Sequence, residues 1–72
     1  MRIHEDNFAY EIEQVFDPAT MVSMGWKYNV YRVRPLNQLL RSGNAESREA
    51  AEREGRKAMQ RAIRLEEQKP AA

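Results

Sequence analysis

The apolar period of this chain changes once, near Ser47, and that change limits the folds open to it. Before it, apolar side chains recur at every second residue; after it, they recur at helical spacing. In "FAYEIEQVF", residues 8–16, Phe8, Tyr10, Ile12 and Phe16 share one face. Glu11 and Glu13 lie on the other face, and Gln14 is the single polar interruption. This is the pattern of a half-buried strand. "GWKYNVYRVRP", residues 25–35, places Trp26, Tyr28, Val30, Arg32 and Arg34 on one side and Lys27, Asn29, Tyr31 and Val33 on the other. "RPLNQ" reads as a turn, with Pro35 fixing φ, and "LLRSG" as a short third strand that Gly43 ends.

Beyond Ser47, a suitable N-cap, the residues Ala51, Gly55, Ala58, Met59, Ala62, Ile63 and Leu65 fall on one stripe of a helix. Its Ala and Gly centre lets the helix axis sit close to a sheet, and close approach by Trp26 would explain Gly55. Glu49 suits the first turn and Pro70 ends the pattern. The expected architecture is α+β: a three-stranded antiparallel β-meander packed against one C-terminal α-helix. Residues 1–68 are expected to form a single β-β-β-α domain and 69–72 a disordered tail.

The first connection, "DPATMVSMG", offers Asp17 as a cap, Pro18 as a first helical residue and Gly25 as a left-handed end. A helical turn is expected there, with Met21, Val22 and Met24 either closing the core or exposed. Closed as a hairpin, this register puts Phe16 opposite Trp26, Ile12 opposite Val30, and Tyr10 and Phe8 opposite Arg32 and Arg34. The core then holds Phe8, Tyr10, Ile12, Phe16, Trp26, Tyr28, Val30, Leu39 or Leu40, Ala51, Ala58, Met59, Ala62 and Ile63.

At 72 residues the chain is near the lower limit for a single unstapled core, and it has no cysteine for a disulfide or a thiolate metal site. No apolar run approaches bilayer-spanning length, and "MRIHEDNFAY" lacks the apolar centre of a signal peptide. No membrane contact and a cytoplasmic location (the host cell's, for a phage-encoded chain) are expected.

The residues also lack a catalytic set. His4, Glu5 and Asp6 are consecutive near a terminus and read as a solvated end rather than a metal site. His4 is the sole histidine, so nucleophilic catalysis has no base from the ordered strands. Glu11 and Glu13 share a strand face open to water, not an enclosed site for acid–base work, and Gly25, Gly43 and Gly55 are too far apart for a phosphate-binding loop. No cofactor, metal or enzymatic reaction is expected.

Charge supplies the remaining signal. Residues 1–20 carry one arginine against five carboxylates, a net of −4, while residues 21–72 carry eleven Lys or Arg against six Glu, a net of +5. On the helix, Arg53, Arg56, Lys57, Arg61 and Arg64 lie off the apolar stripe. Glu49–Arg53 and Glu52–Arg56 could pair at i,i+4, yet the later turns stay basic until Glu66. An acidic protein patch or a phosphate backbone fits such a face. The expected partner-binding residues are Tyr31, Arg32, Arg34, Arg53, Lys57, Arg61 and Arg64. On the sheet's far side, Tyr31, Val33 and Ala9 form a modest apolar spot, which offers a homodimer contact.

The order strand–strand–strand–helix, with "GWKYNVYRVRP" followed by "LLRSGNAESREAAEREGRKAM", resembles the arm-type DNA-binding domain of phage integrases. The likeness covers residues 25–65 in layout and in the Ser-Arg-Glu-Ala-Ala helix start. It implies a sheet whose outer face enters a DNA groove; here that face carries Glu11 and Glu13, with Lys27 as its one cation. In size, divided charge and lack of a catalytic set, the chain also resembles small phage and prophage accessory proteins, anti-CRISPR proteins among them. That resemblance implies an inhibitor that binds and blocks a host protein or complex. The alternative is a small DNA- or RNA-binding domain using Lys27, Arg32, Arg34 and the basic helix face.

Overall fold

The computed structural model describes residues 1–68, and the tail expected at 69–72 lies outside the described residues. The class is α+β, with an antiparallel sheet and one C-terminal helix, but the sheet has four strands and not three. They are β1 (Arg2–Glu5), β2 (Phe8–Phe16), β3 (Ser23–Arg32) and β4 (Gln38–Ala45), ordered β1-β2-β3-β4, followed by α1 (Arg48–Glu67).

The additional strand is made by the segment expected to be a solvated end. Glu5 pairs with Phe8 and Arg2 with Glu11, leaving Asp6 and Asn7 as a two-residue hairpin loop. Asp6 takes a positive φ of 55°, which Asp tolerates better than most residues and which matches the twist of paired strands. Asp-Asn before an alternating run was the available signal, and the surrounding charges hid it.

Between β2 and β3 the register is one pair further along than expected. Tyr10 faces Val30, Ile12 faces Tyr28, Gln14 faces Trp26 and Phe8 faces Arg32. The dry faces still coincide, because a shift of two residues preserves the pleat. The cause lies in the connection. Asp17 N donates to Val22 O and Met21 N to Asp17 O, while Asp17 Oδ1 caps the N–H groups of Ala19 and Thr20. This is a capped turn without a helix, and Met21 (φ 59°), not Gly25, ends it. Gly25 lies within β3, opposite Val15, where the pairing shifts at a bulge.

The core consists of Phe8, Tyr10, Ile12, Tyr28, Val30, Ala51 and Met59, flanked by the half-buried Trp26, Ala45, Ala58, Ala62 and Ile63. Phe16, expected inside, is exposed, and so are both Leu39 and Leu40, one of which was expected inside. Phe16 lies past the bulge and beyond the helix start, and a second bulge at Val30/Tyr31 turns the Leu39–Leu40 pair off the pleat. Ser47 Oγ accepts from Ala50 N at 3.1 Å and starts α1 where the periodicity placed it. The helix then runs along β2 and β3. At Gly55 it is Tyr10, not Trp26, that comes close: a Cβ there would lie 3.0 Å from Tyr10 Cδ2. No described helix is long and apolar enough to cross a membrane.

Candidate functional site

The helix covers β2 and β3 and leaves the inner side of β4 largely open. In β4 the inward positions are Arg41, Gly43 and Ala45, opposite Val30, Tyr28 and Trp26. Two of the three have little or no side chain, and α1 packs on β2 and β3 rather than on β4, so a groove remains between α1 and β4. Its wider part encloses about 560 Å³, with Tyr28 and Ala58 as floor. A second depression of about 490 Å³ adjoins it toward Phe8 and Val30, and Arg41, Ala58, Arg61 and Leu65 line both.

The rim is basic. Lys57, Arg61 and Arg64 follow one another at helical spacing along one side, and Arg41 faces them from β4. Glu54 is the acid among them. Among the described residues, no carboxylate lies within ion-pair distance of Arg41, Lys57, Arg61 or Arg64. Like charges so placed repel one another and raise the local affinity for an anion.

Of the seven residues expected to bind a partner, the structure brings three together here: Lys57, Arg61 and Arg64. Arg32 borders the second depression but is engaged. Its guanidinium meets both oxygens of Glu66 at 2.9 Å and lies 5.3 Å from the centre of the Phe8 ring. Its role is therefore to close the core at the end of the sheet. Arg53 is exposed and lines neither depression, and it makes no ion pair with Glu49, whereas Glu52–Arg56 forms at 3.2 Å. Arg34 is exposed between β3 and β4. Arg41 was missed, and its signal was the alternation Arg41, Gly43, Ala45, which puts a cation on the same face as two small residues.

Tyr31 lies on the opposite face of the sheet, and the apolar spot expected around it is not bare. Ala9 is fully buried, with His4 of β1 and Tyr31 of β3 as its neighbours across the sheet, Arg2 stacks 5.3 Å from the Tyr31 ring centre, and Arg2 Nη1 binds Glu11 Oε1 at 2.7 Å. Burial, then the nearby Glu11 carboxylate, pushes the Tyr31 phenol above its ordinary range, with Arg2 opposing.

A different exposed apolar cluster caps the β2–β3 hairpin, where Phe16, Met21, Val22 and Met24 all face solvent. Among the described residues, no three His, Cys, Asp or Glu side chains gather as a metal site. Compared with known proteins, the chain finds no match among family models, curated proteins or solved structures.

Proposed function

We propose that this chain is a non-catalytic binding protein whose groove between α1 and β4 seats on an acidic surface of a protein partner. One observation carries the reading: Arg41, Lys57, Arg61 and Arg64 converge over an apolar floor without a paired carboxylate among the described residues. The two halves of the groove have separate tasks. Rim cations steer an acidic partner and set its orientation, while covering the exposed Leu40 and Leu65, which line the same depressions, supplies non-directional affinity at about 25 cal/mol per Å² of apolar surface buried. A rigid domain held this way blocks whatever the covered surface normally meets. An inhibitor of a host protein or complex, anti-CRISPR-like in its most specific form, is the biological role that suits this mode and rests on the resemblance of type.

Nucleic acid is the second reading, favoured by the same row of cations. Glu11 and Glu13 on the open sheet face and Glu54 on the rim weigh against it, because each repels a phosphate backbone.

Pull-down from bacterial lysate tests the ranking, with wild type beside Arg41→Glu/Lys57→Glu/Arg61→Glu and a Tyr31→Ala/Arg34→Glu control. The expected result is a protein partner held by wild type and the control and lost by the triple variant. Recovery of no protein partner, together with duplex DNA or RNA binding that weakens steeply with salt, overturns it in favour of nucleic acid.

A further inference from the structure

Resting on that reading, we infer that the partner enters as an extended acidic segment which pairs its backbone with β4 and adds a fifth strand to the sheet. β4 ends the strand order, so alternate backbone N–H and C=O groups point away from β3 with no strand beside them. The two sheet edges differ in how they are protected. β1 is four residues long and carries Arg2, His4 and Glu5, the short and charged form that discourages pairing. β4 is eight residues long with one charge, Arg41, and its stretch Arg41–Ala45 pairs regularly with β3 beyond the bulge. Arg41, at the start of that stretch, lines the groove, and Gly43 lies against the Tyr28 ring that lines it as well.

Spacing points to the chemistry of the occupant. α1 runs along β3, with Gly55 against Tyr28 and Glu66 bound to Arg32. Lys57 and Arg61 are one helical turn apart, a rise of about 6 Å. On an added strand, side chains two residues apart share a face at about 6.6 Å. Carboxylates at alternate positions therefore meet Lys57 and Arg61 in turn, while the intervening side chains face the open side of the sheet.

A second copy of this chain fits the edge poorly. Two-fold pairing of β4 with its copy puts both helices on the same side of the joined sheet, with Lys57, Arg61 and Arg64 facing their own counterparts. A nucleic acid brings the charge but no peptide ladder for β4 to extend.

The test is an amide-resolved NMR titration of the full chain with a synthetic heptapeptide alternating glutamate with valine or serine. A parallel arm uses the same peptide with alternate backbone nitrogens methylated, which keeps the charge and removes the ladder; further arms use a lysine-for-glutamate peptide and a short DNA duplex. The expected result is new exchange protection on β4 amides, with shifts over Arg41–Ala45 and Lys57–Leu65. Methylation should weaken binding about tenfold, and so should Lys57→Glu/Arg61→Glu. Equal binding of the methylated peptide overturns strand addition while leaving an acid-binding groove intact. Protection at β1, tighter binding of the duplex, or no binding of the acidic peptide also overturns it.

Discussion

The Tyr28 ring lies across Gly43 on the neighbouring strand, so closely that a Cβ at Gly43 would fall 2.5 Å from the Tyr28 hydroxyl oxygen. The two residues are direct partners in the β3–β4 ladder, and Tyr28 is buried while also forming the groove floor. A glycine in a strand interior ordinarily weakens it. Here its bareness lets an aromatic ring fold flat over β4 and keeps the groove deep.

Gly43→Ala should therefore lift Tyr28 into the groove. The expected loss is about 1–3 kcal/mol, the usual range for overpacking, read by equilibrium urea denaturation. Tyr28→Leu in the Gly43→Ala background should cost less than Tyr28→Leu alone, because there it also relieves the clash with the new Cβ. Additive losses would mean that the two residues do not press on each other.

The boundary of the core gives a second test. Met59 is almost fully buried, so Met59→Ala should cost about 2–5 kcal/mol. Phe16 is 45% exposed at the hairpin end, and Phe16→Ala should cost about 1 kcal/mol or less. Comparable losses in the two variants would return Phe16 to the core.

Tyr31 should ionise above the ordinary tyrosine value of 10.0. Since the folded state favours the neutral phenol, the unfolded chain loses this proton first as pH rises. Stability from this group is thus constant below about pH 10 and falls as pH climbs from there through the folded value. Glu11→Gln should bring the Tyr31 titration down and Arg2→Ala should raise it further, followed by ring-carbon NMR. A Tyr31 value at or below the ordinary one in wild type would contradict the arrangement of Arg2, Glu11 and Tyr31.

What was legible in the sequence was the part set by side-chain period. The bounds of β2, the start of α1 at Ser47 and the helix stripe as far as Ile63 follow from spacings of two and 3.6, while Leu65, expected on the same stripe, is exposed because β4 leaves that end of the helix uncovered. Features set by turn geometry were not legible. The β2–β3 register depended on how Asp17 folds its own loop, and a shift by two residues leaves the apolar pattern unchanged. β1 was hidden because its pairing rests on backbone bonds and on a positive φ at Asp6, neither of which needs apolar residues. Gly55 was read correctly as a place of close approach, but which aromatic ring arrives follows from the register. The site divided in the same way. Lys57, Arg61 and Arg64 were visible as a helix face, whereas Arg41 joined them only once β4 had its place at the sheet edge.

Whether partners meet this groove or another surface is decided most directly by amide shift mapping of the labelled chain with the protein recovered from lysate. The account predicts that shifts and line broadening centre on Arg41–Ala45 and Lys57–Leu65, fade with added salt, and vanish for Arg41→Glu/Lys57→Glu/Arg61→Glu. Shifts confined to Phe16–Met24 at the hairpin end, or to the sheet face around Tyr31, with the triple variant binding as wild type, would contradict it.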